Sequence, residues 1–93
     1  MEDFEEPVRL EINGELDLHH FSPKDLKTLI PDYLQECLAL GIYDVRIIHG
    51  KGIGNLRRSV HSILQRLPMV QSFSLAPEDR GSWGATLVTL KVR

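Results

Sequence analysis

The chain has 93 residues, of which 42% are hydrophobic and 26% charged, and its formal net charge is -2. This length predicts one domain and excludes a full dinucleotide-binding fold, which argues against a nicotinamide-dependent enzyme. The single Cys37 excludes an intramolecular disulfide and a cysteine-based zinc site. The lack of a signal sequence or membrane-spanning run predicts a cytoplasmic protein without a membrane partner.

Charge is distributed unevenly along the chain. Residues 1–36 carry ten acidic and three basic residues, whereas residues 37–77 carry one acidic and five basic residues. No carboxylate occurs between Val45 and Pro77. A local basic surface on an acidic chain favours a polyanionic partner, although five bases also suit a solvated helix face.

The N-terminal part is predicted to be an acidic tail, residues 1–14, followed by a short strand. Apolar and charged residues alternate in the second half of the tail, which predicts a further edge strand before the turn at Asn13-Gly14. The turn equally suits a kink within one strand. Leu16 and Leu18 continue the alternation beyond it.

A helix is predicted to begin at Ser22-Pro23 and to end at Gly41. Its apolar stripe has helical spacing and consists of Leu26, Leu29, Ile30, Tyr33, Leu34, Cys37 and Leu38. Pro31 lies off the stripe and predicts a kink or the start of a second half. Cys37 lies within the stripe, so we interpret it as a buried thiol and not as a nucleophile.

The next elements are a strand, a glycine-rich loop and a second helix. The β-branched content of residues 43–48 predicts a central strand buried on both faces. The second helix ends before Pro68, and its apolar stripe consists of Leu56, Val60, Ile63, Leu64 and Leu67. His20 and His61 are interpreted as ordinary surface or edge histidines.

Two more strands, residues 70–76 and 84–92, complete the chain and are predicted to form a hairpin with a long polar tip. The element order is then β-α-β-α-β-β after the additional edge strand. Right-handed crossovers would place both helices on one face of a four-stranded mixed sheet. The predicted fold is a two-layer α/β (α+β) sandwich.

The loop from His49 to Arg57, HGKGIGNLR, has the composition of an anion-binding nest. Lys51 adds positive charge, and a helix starting after Asn55 would direct free N–H groups at the same anion. Arg57 and Arg58 in its first turn oppose the helix dipole, which a bound anion would compensate. The same glycines also suit an ordinary strand-to-helix turn.

If the strands ending near His19 and Ile48 are parallel neighbours, their carboxyl ends bring His19 and His49 to one edge, with Asp17 on the same strand as His19. Imidazoles can transfer protons, and cations with loop N–H groups can stabilise charge on phosphate oxygens. In the alternative interpretation, Asp17 only orients His19 or a loop amide, and both histidines are structural.

Three stretches resemble the signatures of the Smr (small MutS-related) domain: Leu16-Asp17-Leu18-His19, then His49-Gly50-Lys51-Gly52-Ile53-Gly54 with Leu56-Arg57, then Gly81-Ser82-Trp83-Gly84-Ala85-Thr86. The resemblance covers about residues 15–92, so we expect an Smr domain at residues 15–93. It implies a fold like the C-terminal domain of translation initiation factor three. Members are associated with nicking or structure-directed cleavage of DNA, and with RNA cleavage.

The resemblance also implies roles for single residues. The catalytic candidates are Asp17, His19, His49 and Lys51; the candidates for phosphate contact are Gly50, Gly52, Gly54 and Arg57. Gly84 would lie near the same edge, with Trp83 available to stack on a base. His20, Ile53 and Ser82 depart from the family pattern, in which position 20 and position 82 are often glycine.

The sequence therefore predicts an endonuclease that cuts DNA or RNA, with a non-catalytic module for branched or single-stranded nucleic acid as the alternative. RNA cleavage through the 2'-OH needs no metal, whereas attack of water on DNA makes a Mg or Mn ion near Asp17 more attractive. No other cofactor is expected. No sequence feature identifies a protein partner.

Overall fold

The computed structural model describes residues 11–50, 54–77 and 84–92. These residues form the strands β1 (Glu15–Asp17), β2 (Asp44–Ile48), β3 (Val70–Leu75) and β4 (Ala85–Leu90) and the helices α1 (Leu26–Ala39) and α2 (Asn55–Gln65). The sheet order is β1-β2-β4-β3, with β1 parallel to β2 and the other two pairs antiparallel. The predicted four-stranded mixed sheet with two helices is confirmed.

Helix α1 buries most of the stripe that its periodicity predicts. A 3-10 turn at Pro23–Asp25 precedes the helix. The buried residues of α1 are Leu26, Ile30, Tyr33, Leu34 and Cys37. The helix continues through Pro31 because this residue lies off the buried stripe and removes one backbone hydrogen bond at most. Burial raises the pKa of the Cys37 thiol, which favours its protonated, unreactive form.

Strand β2 lies at the centre of the sheet, as predicted, but only one of its faces is fully buried. Val45 and Ile47 are at most 2% exposed, whereas Arg46 and Ile48 are half-buried. The prediction of burial on both faces was wrong because the helices cover one side of the sheet only. Arg46 forms an ion pair with Glu15 on the open side.

Gly14 connects the N-terminal residues to β2 through a close backbone approach. Its φ is +91°, and a Cβ at this position would lie 3.2 Å from the carbonyl oxygen of Asp44. Arg46 donates its N–H to the Gly14 carbonyl at 2.7 Å. The predicted edge strand lies mostly outside the described residues, and Glu11 and Ile12, the part that is described, are not in a strand.

The Tyr33 hydroxyl ties the start of β1 to the helix layer. It accepts the Gly14 N–H at 3.2 Å and donates to the Glu15 carbonyl at 3.0 Å. Strands β3 and β4 pair antiparallel, as predicted for the C-terminal hairpin, with an irregularity between Val70 and Ser72. Among the described residues, no helix is long and apolar enough to cross a membrane.

Candidate active site at one edge of the sheet

The parallel pairing of β1 and β2 brings the residues that follow both strands to one edge of the sheet. Asp17 is the register partner of Ile48, and the Leu18 N–H donates to the Ile48 carbonyl at 2.9 Å. Because the carboxyl ends of parallel strands lie at the same edge of a sheet, His19 and His49, which follow β1 and β2, both lie at this edge. The predicted convergence of the two strand ends is present.

Asp17 and His19 form a hydrogen-bonded pair on the exposed part of this edge. Asp17 Oδ1 accepts the backbone N–H of His19 at 3.0 Å and lies 2.5 Å from His19 Nδ1. The backbone hydrogen bond is the main reason why the pKa of Asp17 lies below its ordinary 3.8. A carboxylate can only accept, so Nδ1 carries the proton and, in the neutral ring, Nε2 carries the lone pair.

His19 Nε2 has no hydrogen-bond partner among the described residues and lies near Gly50. Gly50 has φ +83°, and a Cβ built at Gly50 would lie 4.0 Å from His19 Nε2. The N–H groups of His49 and Gly50 both donate to the Gly84 carbonyl, at 3.0 and 2.8 Å. The Gly50 amide therefore fixes the loop to the start of β4 and does not point at a free anion.

His49 lies on the helix-covered side of the sheet. Its residue exposure is 6%, and it continues the inward-facing series of Val45 and Ile47. His49 Nδ1 lies 2.9 Å from the Gly50 carbonyl, and Nε2 lies 2.8 Å from Thr86 Oγ1. Both ring nitrogens are thus engaged, whereas the side chain of His19 is 63% exposed.

The N-terminus of α2 carries one of the predicted arginines. Gly54 precedes the helix with φ +91°, and a Cβ there would lie 3.1 Å from Nη2 of Arg57. The Arg57 guanidinium therefore lies over the first turn. Arg58 instead lines a groove between α1 and α2, together with Lys27 and Arg66.

Three predicted site residues, Lys51, Gly52 and Trp83, lie outside the described residues, and their roles stay predictions. Gly84 lies at the same edge as the loop, where its carbonyl accepts the two loop amides. His20 is exposed, in agreement with its interpretation as a surface histidine.

Sequence reasoning missed the participation of His61. Its Nε2 lies 2.8 Å from Thr86 Oγ1, and its ring lies 5.0 Å from the ring of Phe73. His61 is half-buried and not an ordinary surface histidine. Thr86 alternates in phase with Val88 and Leu90, which indicates that its side chain points inward. No local sequence pattern indicates that His61 would form a hydrogen bond with it.

Among the described residues, Asp17 is the candidate ligand for a divalent metal at this edge. No group of three or more His, Cys, Asp or Glu side chains among them converges to hold an ion. Asp17 Oδ1 already accepts hydrogen bonds from His19. A Mg or Mn ion at Asp17 would therefore take most of its oxygen ligands from water or from a substrate phosphate, and its presence stays a prediction.

Comparison with known proteins gives one consistent result. Residues 16–91 match the family model described as the Smr domain. The chain is 49% identical over 59 residues to the endonuclease MutS2 of Solidesulfovibrio magneticus, covering 63% of this chain and 8% of that protein. It is 38% identical over 79 residues to the endonuclease MutS2 of Carboxydothermus hydrogenoformans, covering 85% of this chain and 10% of that protein. The chain thus spans about a tenth of the length of these relatives.

Two solved structures share the fold. The crystal structure of the Smr domain of Thermus thermophilus MutS2 matches with a TM-score of 0.79 and 35% identity, over 85% of this chain and 99% of that one. The crystal structure of YdaL, a stand-alone small MutS-related protein from Escherichia coli, matches with a TM-score of 0.75 and 31% identity, over 84% of this chain and 64% of that one.

Proposed function

The chain belongs to the Smr domain family, and from this premise we propose that it binds nucleic acid and cuts phosphodiester bonds in DNA or RNA. The observation that carries the proposal is the Asp17–His19 pair, whose Nε2 lies near Gly50. The names of the MutS2 endonucleases that contain similar domains support the same reaction class.

His19 is the proposed general base. Its Nδ1–H is held by Asp17, so Nε2 can take the proton of a water molecule or of an RNA 2'-OH as that oxygen bonds to phosphorus. Asp17 then stabilises the imidazolium, and the leaving 5'-oxygen takes a proton from solvent or from a second acid. Both side chains are more than half exposed, so a polymeric substrate can reach them.

The N-terminus of α2 is the proposed phosphate contact. Free N–H groups of the first turn and the guanidinium of Arg57 concentrate positive charge there. A cation at this end of a helix is electrostatically unfavourable unless an anion offsets it. Lys51 is proposed to contribute to the same contact, and Trp83 to stack on a base.

Two neighbouring histidines provide a matched test of the proposal. His19→Ala removes the base, whereas His20→Ala removes an exposed imidazole from the adjacent position. We expect His19→Ala to lose cleavage of labelled single-stranded RNA and branched DNA by about 100-fold or more, with little change in affinity. His20→Ala should cut like the wild type. Equal cleavage by the wild type and His19→Ala would reject His19 as the base.

The placement of His49 favours a second candidate, a non-catalytic nucleic-acid-binding module. A histidine with 6% exposure and both nitrogens engaged does not act as a second proton donor without rearrangement. This candidate predicts salt-dependent binding with no products from DNA or RNA under any ionic condition. Adding EDTA to the same assays separates a metal-free reaction from a metal-dependent one.

A further inference from the structure

Three side chains from separate elements form a hydrogen-bonded chain that ends at the Gly50 carbonyl. Thr86 of β4 is fully buried, and its Oγ1 lies 2.8 Å from His49 Nε2 and 2.8 Å from His61 Nε2. His61 belongs to α2, and His49 follows β2. One hydroxyl therefore joins two imidazoles that are separated by eleven residues in the sequence and held by different elements.

When the His49 ring is neutral, the two ends of this chain, the Gly50 carbonyl and an N–H donor at His61, together set the direction of its hydrogen bonds. The Gly50 carbonyl only accepts, so His49 Nδ1 carries a proton and donates it over 2.9 Å. In a neutral ring, His49 Nε2 then has the lone pair and accepts the Thr86 hydroxyl proton. Thr86 Oγ1 can in turn accept from His61 Nε2–H. His61 thus donates to Thr86, Thr86 donates to His49, and His49 donates to the Gly50 carbonyl.

The surroundings of His61 favour the neutral donor that this arrangement requires. Burial is the main cause that lowers the pKa of His61, with smaller contributions from His49 and Arg57, the ionisable groups that face it. The Phe73 ring packs at 5.0 Å on another side of the imidazole. The His61 ring is therefore confined in position by an aromatic neighbour and by its hydrogen bond.

We propose that His61 is a positioning residue for the glycine loop: through Thr86 and His49 it fixes the Gly50 carbonyl and thereby the left-handed conformation of Gly50 beside His19. This inference rests on the proposed function for its effect on cleavage, but not for its effect on structure. Gly50 lies between the two imidazoles, since His19 Nε2 is 4.0 Å from its Cβ position and His49 is bonded to its carbonyl. A rotated Gly50 peptide would alter the space in which His19 meets a phosphodiester.

Two substitutions at His61 separate hydrogen bonding from packing. His61→Gln retains an N–H donor at about the position of Nε2, whereas His61→Phe retains a ring against Phe73 and removes the donor. Long-range ¹H–¹⁵N spectra report the tautomer of His49, and backbone spectra report the Gly50 amide. Loss of packing alone would not select one tautomer of His49, so this signature distinguishes a positioning role from a structural one.

The proposal expects a single Nδ1–H tautomer of His49 in the wild type and in His61→Gln, and a mixed tautomer with a shifted Gly50 amide in His61→Phe. Cleavage should fall about two- to tenfold in His61→Phe and recover in His61→Gln, the range expected for one hydrogen bond. Unchanged spectra in His61→Phe, or the same change in both variants, would overturn it. If His61→Phe fails to fold, Thr86→Val against Thr86→Ser gives the same comparison.

The spectra keep this proposal independent of the proposed function. A wild-type protein that cuts no nucleic acid refutes the endonuclease proposal, while the His49 tautomer still decides whether His61 positions the loop. A wild-type His49 with its proton on Nε2 would refute the positioning role even if cleavage is observed.

Discussion

Replacing Gly54 by alanine tests whether the guanidinium of Arg57 contributes to nucleic-acid binding. A Cβ at Gly54 would lie 3.1 Å from Nη2 and 3.6 Å from Cζ of Arg57. The guanidinium must therefore shift by a few tenths of an ångström from its position over the first turn of α2. Because it is the end of a flexible side chain, this movement adds little to the free energy that the substitution costs.

The cost in stability comes mainly from the backbone, and Gly41 supplies a matched control. Gly54 has φ +91° and Gly41 has φ +76°, but a Cβ at Gly41 meets nothing within 4 Å. A left-handed conformation costs an alanine about 1–2 kcal/mol. Both variants should therefore lose about 1–2 kcal/mol of unfolding free energy, or about 4–16 °C in Tm for a domain of this size.

Binding should distinguish the two variants although their stabilities are similar. Fluorescence anisotropy with labelled DNA at several salt concentrations gives the slope of log K against log salt. Complete loss of one phosphate contact reduces this slope by about 0.9. The shift of the guanidinium in Gly54→Ala should reduce it by up to about that amount, and Gly41→Ala should keep the wild-type slope. Equal slopes in the two variants would refute a phosphate contact that depends on the position of the Arg57 guanidinium over the first turn. An undiminished Tm in Gly54→Ala would refute the left-handed conformation.

Two further predictions concern stability. Tyr33→Phe removes the hydroxyl that bonds to Gly14 and Glu15, and should lower the unfolding free energy by about 1 kcal/mol in urea denaturation; an unchanged urea midpoint would contradict it. The pKa of His61 in the folded protein is lowered from 6.5, so the unfolded chain takes up a proton first as the pH falls. The stability contributed by neutral His61 is therefore complete above pH 6.5 and is lost as the pH falls below that value. Urea denaturation from about pH 8 to pH 5 should show a weaker pH dependence in His61→Gln than in the wild type, and identical profiles would argue against this linkage.

The helices were predictable because their signal is local. The spacing of Leu26, Ile30 and Leu34 places these side chains on one face of α1 whatever the rest of the chain does, and all three are at most 1% exposed. The parallel pairing of β1 and β2 was also predictable, since α1 between them provides the crossover that parallel neighbours need. That pairing brought Asp17 and His49 to one edge.

The burial of the site residues was not predictable from local patterns. His49 is buried because Thr86, 37 residues later, and the helix layer close over it, and the sequence pattern gave His19 and His49 the same role. His61 follows the buried Val60 but lies off the apolar stripe, so only the position of β4 reveals its hydrogen bond. Ile48 looked buried because an apolar residue in a strand does not show which sheet face the helices leave open.

The carbonyl of Gly84 joins two places that are 34 residues apart, because it accepts the amides of His49 and Gly50 on one oxygen. His49, Gly50 and Gly84, the residue before β4, should consequently shift as one unit. An engineered insertion before Gly84 should leave both hydrogen bonds to its carbonyl in register. A one-residue deletion within β4 should instead shift Gly84 and displace the loop with it. Grafting this site onto another scaffold would therefore require both segments to be transplanted together.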